Sequence, residues 1–262
     1  MVLPIRDENP VRRVPVVTYL LIALNVAVFL AEPIAFRSFG GDVRQVAQVC
    51  RQEAYFDRWA AIPRELVHNK PLDAVVVGSA GTDGCVVSTP PYRKSPLLSA
   101  FTAMFLHGGW FHLLGNMLFL WIFGNNVEDR MGRLRYALFY LICGVIAGLT
   151  QLATDPSSGI PNIGASGAIA GVLGAYLVLY PRARVLTAIT LLVFFAIVEV
   201  PAVLLLGAWF LLQVLEGSAG LVDAASTGGV ANFAHIGGFV AGLVLVWLFV
   251  RGRPRPVLTD PR

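Results

Sequence analysis

Apolar residues fall in long runs separated by short polar turns. The first run covers about 14–34 and carries Asn25; others cover 98–127, 136–153, 163–180 and 230–250. A helix rises ~1.5 Å per residue and the hydrocarbon core of a bilayer is about 30 Å thick, so runs of this length predict membrane-spanning helices. The first run is too long for the apolar part of a signal peptide and lacks a clean small-x-small cleavage site. Residues 185–217 are apolar for too long to be one helix, and Glu199-Val200-Pro201 interrupts them. That leaves two helices, or a short interfacial or re-entrant piece followed by one helix at about 202–217. The stretch 35–97 is mixed in polarity, with Pro90-Pro91 and Gly78, Gly81 and Gly84. Within it, 43–60 alternates as an amphipathic helix does.

Charge chooses among these options. Arg6, Arg12 and Arg13 precede the first run, a Glu128–Arg135 turn follows the second, Arg182 and Arg184 follow the fourth, and Arg251, Arg253 and Arg255 follow the last. Six spans put every basic turn on one side, as the positive-inside rule requires; a seventh at 185–198 would export the arginine-rich end. The expectation is therefore an all-α polytopic membrane protein of six transmembrane helices, with both termini cytoplasmic. Residues 185–200 then lie at, or dip into, the cytoplasmic surface. Residues 1–13 form a cytoplasmic segment, 14–250 the membrane domain with 35–97 as an extracytoplasmic loop, and 251–262 a basic cytoplasmic tail. Composition agrees: 56% of residues are hydrophobic and only 14% charged, against about a quarter charged in soluble domains. No basic stripe interleaves with aromatics, which argues against nucleic acid. The bias of arginine over Lys70 and Lys94 fits a prokaryotic plasma membrane. Cys143 reads as a small core residue. Cys50 and Cys85 share the extracytoplasmic loop, where a disulfide between them is possible. No CxxC or Cys/His ligand spacing occurs, so no metal site is expected.

The candidate chemistry centres on Gly164-Ala165-Ser166-Gly167-Ala168-Ile169-Ala170-Gly171. Small residues four apart let helices approach closely, and by itself Ser166 is most simply a packing residue. Three of the four histidines lie in apolar runs, where an ionisable side chain is a functional hypothesis by default. His235 opens the last run, with Gly238 and Gly242 on its helix face. Measured from the outer ends of their runs, Ser166 lies roughly 5 Å deep and His235 roughly 7 Å. Matching depth on glycine faces makes a nucleophile and a general base. His112 and Asn116, one turn apart, can donate hydrogen bonds to an oxyanion together with the Ser166 amide; the plainer reading is interhelical hydrogen bonding. His107 lies off that face and is expected to order the loop. No acidic residue is placed to orient His235, which predicts a dyad.

These motifs, Gly164-Ala165-Ser166-Gly167, Ala234-His235 with Gly238 and Gly242, and His112-xxx-Asn116, resemble those of the rhomboid family of intramembrane serine proteases. Glu128-Asp129-Arg130-x-Gly132 resembles the family's turn after its second helix, and the likeness runs over about 14–250. The resemblance implies a six-helix core with a water-filled cavity open to the outer face. It also implies cleavage of single-span membrane proteins at or near their membrane boundary. The roles implied are Ser166 as nucleophile, His235 as base, and His112, Asn116 and the Ser166 amide as oxyanion hole, with no cofactor. Two positions depart from the pattern. Where many members place an aromatic ring one turn after the serine, this chain has Ala170, so something else must hold the histidine. The aromatic-arginine pair often seen in the first loop is not evident before His107.

Three other readings compete. A transporter is opposed by the clustering of ionisable residues and the lack of an inverted repeat. A catalytically inactive relative that binds membrane clients is opposed by the presence of both Ser166 and His235. Other intramembrane proteases would need His-Glu-x-x-His or paired membrane aspartates, which are absent. No residue names the substrate or the oligomeric state.

Overall fold

The computed structural model describes residues 2–33, 43–81, 84–191, 194–222 and 231–250. The expected basic tail 251–262, and residues 34–42 and 223–230 of two loops, lie outside them. In chain order the elements are β1 (Val2–Asp7), α1 (Val16–Ala31), α2 (Val43–Trp59), α3 (Pro63–His68), β2 (Val75–Gly81), β3 (Gly84–Ser88), α4 (Pro96–Thr102), α5 (Trp110–Phe119), α6 (Asn125–Met131), α7 (Arg133–Thr154), α8 (Ser166–Leu179), β4 (Arg184–Leu191), β5 (Phe194–Pro201), α9 (Ala202–Val222) and α10 (Asn232–Phe249). Among the described residues three helices are long and apolar enough to cross a membrane, Arg133–Thr154, Ala202–Ala219 and Asn232–Phe249. A fourth is added if the bent pair Pro96–Phe105 and Trp110–Met131 counts as one span, and Val16–Ala31 and Ser166–Leu179 are shorter apolar helices.

The chain is mostly helical, but it is not all-α. Residues 185–200 belong to a β-hairpin, β4 against β5, in register from Arg184 opposite Pro201 to Leu191 opposite Phe194. The polar amino-terminal segment adds β1 as a third strand, antiparallel to β4. The hairpin sequence is dense in Val, Ile, Thr and Phe, which suit a pleated surface. An apolar run carries no reliable sign of whether its period is 3.6 or 2, and this one is a hairpin. Two further boundaries move. The 98–127 run is broken between Phe105 and Trp110, and α6 continues through the charged Glu128–Arg130 stretch to Met131. Gly132, at φ 80, then turns the chain into α7.

Two compact units emerge. The first gathers Met1–Ile22, Asn116–Thr150 and Ser166–Arg262. Its centre is α8, packed against α10 and α7 through small residues. A Cβ at Gly238 would fall on the Gly167 carbonyl oxygen, one at Gly242 on the Gly171 carbonyl oxygen, and one at Gly174 on the Phe239 carbonyl oxygen. On the α7 side Gly167 and Gly171 face Ala147 and Cys143, and Cys143 is buried as expected. The Glu128 carboxylate accepts from the backbone N–H groups of Val17 (3.0 Å) and Thr18 (2.8 Å) and from the Thr18 hydroxyl (2.8 Å). It thereby satisfies unpaired N–H donors in the first turn of α1. Asp7, at the end of β1, is buried. It accepts from the Tyr176 hydroxyl at 2.9 Å and the Asn126 amide at 2.5 Å. Burial pushes its carboxyl up to about 6, against the lowering effect of the Tyr176 hydrogen bond.

The second unit comprises Ala23–Gly115 and Gln151–Ala165. The described parts of the 35–97 loop, 43–81 and 84–97, hold more regular structure than their composition indicates. The expected amphipathic helix is present as α2, and β2 and β3 form a hairpin. Cys50 on α2 is joined to Cys85 on β3. Lys94 pairs with Glu65 at 2.6 Å, both buried, and donates to the Asp57 carbonyl at 2.7 Å. Phe56, Ala60 and Leu106 form a small core with Val28, Trp59 and Ile163.

Candidate active site

Ser166 is the first residue of α8. Gly164 is not a helical packing residue as expected. It stands before the helix at φ 121, a conformation suited to glycine, and its N–H donates to the Ala103 carbonyl at 2.9 Å. The turn it makes starts the helix at the serine rather than at residue 163. At this first position the Ser166 N–H has no partner within the helix and lies at the positive end of the helix dipole.

His235 lies in the first turn of α10. Its Nε2 is 2.8 Å from Ser166 Oγ. The helix contact explains the reach. Glycines at 167, 171, 238 and 242 remove the side chains that would hold the two backbones apart, and the serine and histidine meet at the rim of that contact. His235 Nδ1 is 2.5 Å from Oε1 of Gln213, a residue only 8% exposed. Trp209 lies tilted against the imidazole, with ring centroids 5.9 Å apart. Trp209 and Gln213 are one turn apart on α9. They supply from a third helix what the pattern places one turn after the serine, where Ala170 is fully buried. The group facing Nδ1 is thus a neutral amide. Sequence reading missed both residues. The available signal was one amide, a turn after a tryptophan, within the apolar stretch 202–215 of that helix.

Of the expected oxyanion donors, Asn116 belongs to this same unit. It is 8% exposed, and its buried side-chain nitrogen has no hydrogen-bond partner among the described residues. A buried orphan donor is costly, and an incoming oxyanion would satisfy it. His112 belongs to the second unit. Its Nδ1 accepts weakly from the Gly108 N–H at 3.4 Å, which leaves Nε2 to carry the proton as a donor. His107, expected to order the loop, is completely buried. Its backbone N–H donates to the buried Glu32 carboxylate at 3.2 Å, and its ring stands 5.0 Å from that of His112. Among the described residues no group of three or more His, Cys, Asp or Glu is placed to hold a metal ion.

Apolar helices, tight glycine-mediated contact and a hydrogen-bonded serine and histidine together define a polytopic membrane protein with a paired Ser–His site. The family model for the rhomboid domain matches residues 94–252, more than half of the chain, and the chain belongs to the rhomboid family. The matched stretch begins at 94, so α1 and most of the 35–97 loop fall outside it. The chain is 35% identical over 170 residues to Rhomboid-like protein 11, chloroplastic, of Arabidopsis thaliana, covering 60% of this chain and 54% of that protein. It is 33% identical over 156 residues to Rhomboid protein 1, mitochondrial, of Saccharomyces cerevisiae, covering 57% and 41%. It is 37% identical over 76 residues to the putative rhomboid protease YdcA of Bacillus subtilis, covering 29% and 38%. The chain thus spans about half the length of these relatives or less.

Proposed function

We propose that this protein is an intramembrane serine endopeptidase, and that Ser166 and His235 hydrolyse peptide bonds of single-span membrane proteins at or near the membrane boundary. The observation that carries the reading is the 2.8 Å contact between Ser166 Oγ and His235 Nε2. The hydroxyl proton passes to Nε2 as Oγ attacks the substrate carbonyl carbon. The tetrahedral intermediate holds its negative oxygen against the Ser166 N–H and the Asn116 amide; His112 is the further donor that the family resemblance implies. The imidazolium returns the proton to the departing amine, which breaks the C–N bond and leaves an acyl ester on Ser166. A water molecule, deprotonated by the same nitrogen, hydrolyses that ester and restores the serine. Only this chain's side chains, one backbone amide and water take part.

The six-span reading belongs to the same proposal. β1 lies before α1, and β4 and β5 lie between α8 and α9, yet all three share one sheet. That shared sheet supports the six-span count with cytoplasmic termini, which puts all three strands on one side of the membrane. The arginine-rich turns favour that side as the cytoplasm of a prokaryote, although two of the relatives carry organellar names. The proposed partners are transmembrane protein substrates and the lipid bilayer. The test is labelling of the purified full chain with a fluorophosphonate probe. Labelling is expected in the wild type and lost in Ser166→Ala and His235→Ala; undiminished labelling of Ser166→Ala refutes the assignment. Cleavage of a single-span test substrate by wild type alone separates an active protease from an inactive client-binding relative.

A further inference from the structure

A histidine that serves as a general base must present a lone pair, not a proton, to the nucleophile. Neutral imidazole carries one proton, on either nitrogen, and the partner of the far nitrogen decides which. In a dyad without a carboxylate nothing obvious makes that choice, and a freely rotating ring would spend part of its time in the unproductive tautomer. The far nitrogen here is not free. His235 Nδ1 is 2.5 Å from the side-chain carbonyl oxygen of Gln213. A carbonyl oxygen only accepts, so this contact requires the proton on Nδ1. Nε2 is then left bare, and it is the atom facing Ser166 Oγ at 2.8 Å.

We propose that Gln213 is the positioning residue of the site: its carbonyl fixes His235 in the Nδ1–H tautomer and fixes the ring plane that aims Nε2 at Ser166. The inference rests on the reading of Ser166 and His235 as nucleophile and base. Two features make Gln213 suited to the part. It is almost fully buried, so water does not compete for its carbonyl. It also sits one turn from Trp209, whose ring limits tilting of the imidazole. A neutral amide gives orientation without a fixed charge. A carboxylate in the same place would hold the imidazolium more strongly and raise the pH needed to deprotonate it.

The test uses the full chain in detergent micelles, with Gln213→Met, which keeps length and removes the acceptor, and Gln213→Glu, which restores an acceptor and adds charge. The chain has four histidines, so 15N-histidine spectra can be assigned by single substitution. Wild-type His235 is expected as the Nδ1–H tautomer, and Gln213→Met is expected to populate Nε2–H. Fluorophosphonate labelling of Ser166 is expected to slow by about tenfold in Gln213→Met, the equivalent of one lost hydrogen bond. Gln213→Glu is expected to recover most of that rate at high pH, with the acid limb of its pH profile raised by about one unit or more. A wild-type His235 protonated on Nε2 overturns the proposal. So does equal slowing in both variants with an unmoved acid limb, the mark of a merely structural side chain. A wild type that never labels at Ser166 refutes the nucleophile reading instead, and the 15N spectra then decide Gln213 alone.

Discussion

Replacing Gly238 with alanine tests whether backbone contact between α8 and α10 sets the Ser166–His235 distance. The added Cβ would fall on the carbonyl oxygen of Gly167. Carbon and carbonyl oxygen meet comfortably at about 3.3 Å, and both atoms here belong to helix backbones that cannot rotate away. α10 must therefore withdraw from α8 by about 1 Å or more. Gly238 is three residues from His235, and Gly167 adjoins Ser166, so the withdrawal is passed almost undiminished to the pair. A contact of 2.8 Å then stretches to or beyond the 3.5 Å where a hydrogen bond ceases to count. A displacement of that size costs about 100-fold in a positioned reaction, and overpacking costs about 1–3 kcal/mol of stability. The assay is the second-order rate of fluorophosphonate labelling, read beside a melting curve. Gly207→Ala on α9 is the control, because a Cβ there meets nothing within 4 Å among the described residues, and it should label as wild type does. Gly242→Ala strikes the Gly171 carbonyl oxygen one turn deeper. It should lose similar stability but less rate. Gly238→Ala labelling within twofold of wild type would refute the geometric argument.

Two further outcomes follow from groups outside the spans. Asp7 has its carboxyl raised from 3.8 to about 6 by burial, so the folded chain binds this proton more tightly than the unfolded chain does. Its contribution to stability is fully present below about 3.8, declines as pH rises through about 6, and is flat above. A rise from 3.8 to about 6 corresponds to at most about 3 kcal/mol; Asp7→Asn should abolish that decline in melting curves between pH 4 and 7.5, and an unchanged slope would refute it. Cys50 and Cys85 close a loop of 35 residues; Cys85→Ser, or thiol reduction, should lower stability by about 4 kcal/mol, and a melting temperature indifferent to reductant would contradict the structural role of the bond.

The sequence by itself determined the solvent of this protein and the content of half its site. Long apolar runs need a bilayer whatever the fold. Glycines spaced four apart mark close helix contact because a missing Cβ acts locally, and a serine and a histidine at equal depth on such faces have few ways to avoid each other. Tertiary structure decided the rest. Residues 185–200 read as a membrane-surface piece because apolar length was visible and strand pairing was not. The strand that pairs with it, β1, lies more than 170 residues away, a partner no local pattern could announce. Gln213 and Trp209 escaped notice for the same reason. Each is one polar or aromatic side chain in an apolar helix, and only the approach of α9 to α10 shows that both converge on His235. Ala170 marks where local pattern and fold diverge. The ring missing one turn after Ser166 is supplied across space by another helix, because what the imidazole requires is a neighbour in contact, not a neighbour in sequence.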